Sequence, residues 1–219
     1  MAVGEGYGGL EHRASTALIC NRADLPTKND ASVSEGYRGF LALCSHEYFH
    51  TWNVKRIKPA VFANYDLSQE NYTNLLWLFE GFTSYYDDLF LRRCGLIDEA
   101  AYLKLIEKTV NTVQRGSGRK KQSVADSSFD AWTKYYRQDE NSPNAIVSYY
   151  AKGSLVALGL DLTIRHETAG KKSLDDVMRA LWKKYGKDFY EKAQTGKQQG
   201  LGEDEFESLV EQVTGLKIK

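Results

Sequence analysis

The segment His46-Glu47-Tyr48-Phe49-His50 reads HExxH. On a helix, residues four apart share a face, so His46 and His50 can offer both imidazoles to one metal ion. Paired imidazoles suit Zn²⁺. Glu47 follows the first histidine directly. That position suits a general base that takes a proton from water beside the ion and is not itself a ligand.

A catalytic zinc usually has a third protein ligand and one open position. The pattern HExxHxxGxxH would need Gly at 53 and His at 56, where this chain has Asn53 and Arg56. The third ligand is then a carboxylate from further along, and two compete. Nineteen residues separate His50 from Glu70, a spacing found in thermolysin-like enzymes, and 29 separate it from Glu80. Spacing favours Glu70, but context favours Glu80. Glu70 lies in the polar stretch SQENYTN, where a solvated carboxylate needs no explanation. Glu80 lies in LLWLFEGFTSYY, where a charge is costly to bury unless it is paired or bound to a metal. Choosing Glu80 makes the connection 51–74 a loop that folds over the site.

Two further groups deserve roles. Tyr150, in SYYAKGSLVAL, could donate a hydrogen bond to an oxyanion near the metal, although residue type alone does not separate it from the chain's other tyrosines. Near the start, Gly8-Gly9-Leu10-Glu11-His12 reads as a glycine-rich edge strand that a peptide backbone could approach closely. Glu11 could hold a cationic amine there. His12 and His166 are not at ligand spacing from anything and are expected to be structural.

These residues must be positioned by an ordinary folded chain. It has 219 residues, 42% apolar and 26% charged, which fits one sizeable domain. Lys plus Arg and Asp plus Glu are 29 each, so the net charge is zero, which argues against nucleic acid as the main partner. No apolar run approaches the ~20 residues of a membrane span. Three cysteines, Cys20, Cys44 and Cys94, are widely spaced and read as free thiols. Only three prolines favour helix over a turn-rich β sandwich, so the fold class is α+β and mainly helical. A strand is expected in ASTALIC (14–20), and a helix over 37–53 that begins from a Ser32–Glu35 capping box. A buried helix covers 75–93, closed by Gly95, and another runs from an Asp98 cap to about Gln114. Short helices and turns fill 123–144, and an apolar helix covers 146–165. A Ser173–Asp176 capping box starts an amphipathic helix ended by Gly186, and a last helix covers about 203–213 before Gly215.

Taken together, HEYFHTWNVKR, LWLFEGFTSYYDD, SYYAKGSLVALGLDLTIR and GGLEH resemble the glycyl aminopeptidase family of zinc metallopeptidases, which belongs to the gluzincins. The resemblance runs from about Tyr7 to Gly215. It implies a thermolysin-like catalytic domain with a short N-terminal β segment and a C-terminal helical bundle. It further implies Zn²⁺ on His46, His50 and Glu80, Glu47 as base, and Tyr150 as the oxyanion-stabilising tyrosine. Glu11 would bind the free α-amine of a peptide substrate, with Gly8 and Gly9 beside the substrate backbone and Gly or Ala as the preferred N-terminal residue. Related aminopeptidases have Asn after the motif's Glu, where this chain has His12. Family members are longer, so residues 1–219 are expected to be a single catalytic domain without the N-terminal β domain and C-terminal PDZ domain that usually flank it.

Overall fold

The computed structural model describes residues 1–28, 33–64 and 66–218. Three short strands open the chain: β1 (Ala2–Val3), β2 (Gly8–Glu11) and β3 (Thr16–Asn21). They form one sheet in the order β1-β3-β2, with β1 parallel and β2 antiparallel to β3. The β2–β3 register pairs Gly8 with Ile19 and Glu11 with Thr16, so β2 is an edge strand. Because side chains alternate along a strand, positions 9 and 11 look towards the same face.

Helices make up most of the rest. They are α1 (Glu35–Phe49), α2 (Leu76–Arg93), α3 (Glu99–Arg115), α4 (Val124–Phe129), α5 (Ser142–Ala145), α6 (Tyr149–Glu167), α7 (Leu174–Leu181), α8 (Phe189–Ala193) and α9 (Glu205–Thr214). The architecture is therefore α+β and mainly helical. No helix among the described residues is long and apolar enough to cross a membrane.

Local chemistry explains most boundaries. Ser34 caps α1 by accepting from Tyr37 N at 3.1 Å; the expected Ser32 cap lies outside the described residues. Helix α1 stops at Phe49, four residues before the expected end, and 50–57 becomes a tight loop. Gly95 takes φ +74 beyond α2, and Asp98 caps α3. Helix α6 starts three residues later than expected. Val147 N instead donates to Gln122 Oε1, and Ser148 supplies the cap. The Ser173–Asp176 capping box starts α7, which continues as a π turn, Trp182–Gly186.

Helix α2 is the centre of the core. Leu78, Phe79 and Phe82 are fully buried. Phe206 of α9 packs edge-on to Trp77 and Phe82, which ties the C-terminal helices to α2. Buried Asp161 of α6 accepts from Tyr85 on α2 and from Leu174 N at the start of α7, so one carboxylate joins three helices. Helices α2 and α6 cross where Gly81 meets Gly153. A Cβ on Gly81 would lie 2.5 Å from Gly153 Cα, and one on Gly153 would lie 2.6 Å from the Trp77 carbonyl. Glu80 and Tyr150 flank this crossing.

The crossing generates a paired prediction. Gly81→Ala must push two backbones apart and should cost about 1–3 kcal/mol. Gly159→Ala, on the open face of the same α6, meets nothing within 4 Å and should stabilise by roughly 0.5–1 kcal/mol. Urea unfolding of both variants checks the pair.

Candidate active site

Helix α1 puts His46 and His50 one turn apart, with ring centroids 4.7 Å apart. Each Nδ1 is engaged. His46 Nδ1 donates to Asp87 Oδ2 at 2.9 Å, and His50 Nδ1 donates to the Asn53 carbonyl at 2.8 Å. These bonds orient both rings and turn both Nε2 atoms inward. Both Nε2 atoms lie 3.2 Å from Glu80 Oε2. Glu80 is thus placed with the two histidines. Glu70 is exposed elsewhere, its carboxylate accepting from Tyr72.

The electrostatics follow from this packing. Burial alone would raise the Glu80 pKa, but His50 and His46 outweigh it and hold the carboxyl down at about 2. Burial would lower His46, but its hydrogen bonds to Asp87 and Glu80 raise it to about 10. Glu47 is pushed above the usual carboxylate range by burial, which the two histidines only partly offset.

The donor set fits a zinc ion. Two imidazole nitrogens and one carboxylate oxygen lie within 4.8 Å of one another, and both rings are oriented from behind. Glu47, 7% exposed, carries an Oε2 with no hydrogen-bond partner among the described residues. A buried carboxylate oxygen without a partner beside such a trio is suited to a water or substrate proton.

The sheet supplies the opposite wall. A Cβ at Gly9 would collide with the Glu47 carboxylate, whereas one at Gly8 would meet nothing within 4 Å. Only Gly9 therefore needs to be glycine for this contact. Carboxylate oxygens of Glu11 and Glu47 and a ring nitrogen of His50 lie within 4.8 Å of one another. Glu11 also pairs with Lys55 Nζ at 3.0 Å. A cleft of about 460 Å³ opens here, lined by Glu11, Lys55, Glu80, Trp132 and Tyr136 among others. That size is typical of small-ligand sites. A hollow of about 610 Å³ between α1 and α3, beside Arg38 and Lys104, holds none of these groups.

Tyr150 reaches the site from α6. Its ring stacks on His46 with centroids 6.2 Å apart, and its hydroxyl lies 3.0 Å from the Tyr136 hydroxyl. Burial first, and then Glu80, push its pKa far up, so the phenol stays neutral and able to donate. His12 and His166 are exposed and belong to neither cluster of potential ligands.

Sequence reasoning missed several participants. Asp87 lies seven residues after Glu80, two turns along the same face of α2, and that spacing was its signal. Asn53 holds His50 through its carbonyl and ties the loop to α2 by donating from Nδ2 to Phe79 O and Thr83 Oγ1. Val54 follows at φ +154, a conformation that β-branched residues rarely adopt. Lys55, next in the chain, donates N–H to His50 O and pairs with Glu11. The loop position of Asn53 and the pairing of Lys55 left no local pattern to find.

Residues 39–156, more than half of the chain, match the M61 glycyl aminopeptidase family. The chain belongs to that family. Among solved structures, the chain is similar to the aminopeptidase N family protein from Idiomarina loihiensis. The two are 49% identical with a TM-score of 0.89, over 99% of this chain and 35% of that one. The chain therefore spans about a third of that protein's length. No curated protein matches it. In this M61 glycyl aminopeptidase family chain, the family match includes His46, Glu47, His50, Glu80, Asp87, Tyr136 and Tyr150, and it begins after the sheet that carries Gly9 and Glu11.

The geometry separates the competing carboxylates by experiment. Glu80→Gln should abolish stoichiometric zinc uptake, and Glu70→Gln should leave it unchanged, as read by metal content after desalting. Gly9→Ala should keep the fold and displace Glu47. If Glu47 serves as the base, its displacement should lower kcat by about 10²–10⁴-fold, as read by turnover and circular dichroism together.

Proposed function

We propose that this chain is the zinc-dependent catalytic unit of an aminopeptidase that hydrolyses the first peptide bond of peptides with a free N-terminus. On this reading the arrangement is of the gluzincin type, with the third ligand supplied by a later helix. The observation that carries the proposal is that two clusters of side chains meet at His50, beside a cleft lined by Glu11 and Glu80. His46, His50 and Glu80 converge in one, and Glu11 and Glu47 join His50 in the other. A carboxylate on an edge strand next to the base gives a free α-amine a fixed counter-charge, which cleavage inside a chain does not require.

His46 Nε2, His50 Nε2 and a Glu80 oxygen would hold the ion. Zinc, when bound, supplies a Lewis acid for the scissile carbonyl and acidifies water at neutral pH. Everything else falls to the protein. Glu47 takes a proton from the attacking water on its unpartnered Oε2 and passes it to the leaving amine. Tyr150 donates its phenolic hydrogen bond to the carbonyl oxygen as negative charge develops there. Glu11 holds the substrate ammonium and shares its charge with Lys55. Gly9 keeps the edge strand clear of the Glu47 carboxylate where the substrate backbone lies. Preference for Gly or Ala at the N-terminus follows from the family resemblance.

Two measurements test this. Glu47→Gln should retain zinc and lose about 10²–10⁴-fold in kcat. A glycyl peptide amide should be cleaved and its N-acetylated form should not. Equal cleavage of both forms would mean a thermolysin-like endopeptidase. Zinc binding with cleavage of neither would mean a catalytically silent scaffold.

A further inference from the structure

Four tyrosines meet where the cleft wall joins α6. Tyr149 and Tyr150 open α6, and Tyr135 and Tyr136 lie at the end of the π turn Ala131–Tyr135. Tyr135 is the packing centre. Its ring contacts those of Tyr136, Tyr149 and Tyr150 at centroid distances of 5.5, 4.7 and 5.7 Å. Its hydroxyl bonds Ser148 Oγ at 3.1 Å, the same oxygen that caps α6. The π turn is tied to the opposite loop by Trp132 Nε1, which donates to Asn71 O at 3.2 Å. Tyr136 itself lines the cleft and is 67% exposed.

The hydroxyls form a chain. Tyr149, 1% exposed, donates to Tyr136 at 3.4 Å, and Tyr136 lies 3.0 Å from Tyr150. A phenol has one proton to donate and can accept others. With the Tyr136 oxygen accepting from Tyr149, its own proton is available to the Tyr150 oxygen. Tyr150 then keeps its proton for a group on the His46 side. The reverse polarity would spend the Tyr150 proton on Tyr136.

We propose that Tyr136 is a positioning residue, the middle member of a relay from Tyr149 through Tyr136 to Tyr150 that aims and polarises the Tyr150 hydroxyl. Each hydroxyl that donates to the next makes that next one a stronger donor. No proton changes hands along the relay; it sharpens one hydrogen bond. The inference rests on the reading of Tyr150 as the donor to the developing oxyanion. It adds to that reading a requirement for a residue outside the metal-binding helices.

The test is a double-mutant cycle on the zinc-loaded chain, with a glycyl peptide amide as substrate. Thermal unfolding confirms that each variant is folded. Tyr136→Phe should lower kcat about tenfold, the effect of losing one hydrogen bond, with KM unchanged. Tyr150→Phe should lower it about 10²–10³-fold, and adding Tyr136→Phe to Tyr150→Phe should cost nothing more. Binding supplies a second readout: a phosphinate mimic of the tetrahedral intermediate should bind Tyr136→Phe about tenfold more weakly, and glycinamide should bind as before. Unchanged kcat in Tyr136→Phe overturns the relay and leaves the role of Tyr150 intact. An equal loss in both backgrounds also overturns it, because Tyr136 would then act without Tyr150. Full turnover in Tyr150→Phe overturns the Tyr150 reading itself, and the relay with it.

Discussion

One carboxylate in an apolar helix governs this molecule. Glu80 sits in α2 between fully buried Phe79 and Phe82 neighbours, where an unpaired charge would cost several kcal/mol. The two Nε2 atoms of α1 answer that charge, at 3.2 Å each. For them to do so, α1 must lie along α2 with its histidine face inward. Asp87, two turns further along α2, then meets the back of His46, while Ser45 Oγ donates to the Asp87 carbonyl. The same pairing that makes the charge tolerable thus locks two helices and assembles a donor set.

A second contact decides how close the remaining machinery can come. Side chains larger than hydrogen at Gly81 and Gly153 would hold α2 and α6 apart. Because Glu80 precedes one glycine and Tyr150 lies one helical turn before the other, close backbone approach brings a phenol beside the imidazoles. Packing and chemistry share these positions, so the core here cannot be re-engineered without moving the site.

Much of this could be read in the sequence. HExxH on a helix fixes a common face by periodicity alone, and the cost of burying a charge pointed to Glu80 over Glu70. The caps at Asp98 and Ser173 mark helix starts: Asp98 accepts from Ala101 N, and the Asp176 carboxylate reaches back to accept from Ser173 N. What could not be read is non-local. The late start of α6 depends on Gln122, 25 residues upstream of Val147. The collision that requires glycine at 9 involves Glu47 on another element. The service of Asn53 to His50 depends on a loop conformation that Val54 adopts against its own preference. Periodicity and capping reach only a few residues along the chain, and these contacts do not.

That loop has a geometric consequence. Within three consecutive residues, Asn53 orients the ring of His50, Val54 bends the chain, and Lys55 grips Glu11. The histidine pair with Glu80 and the Glu11 carboxylate of the edge strand are therefore set to one another by a single short bracket. On the proposed reading, that bracket is a molecular ruler. It sets how far the reacting carbonyl stands from the charged end of the substrate.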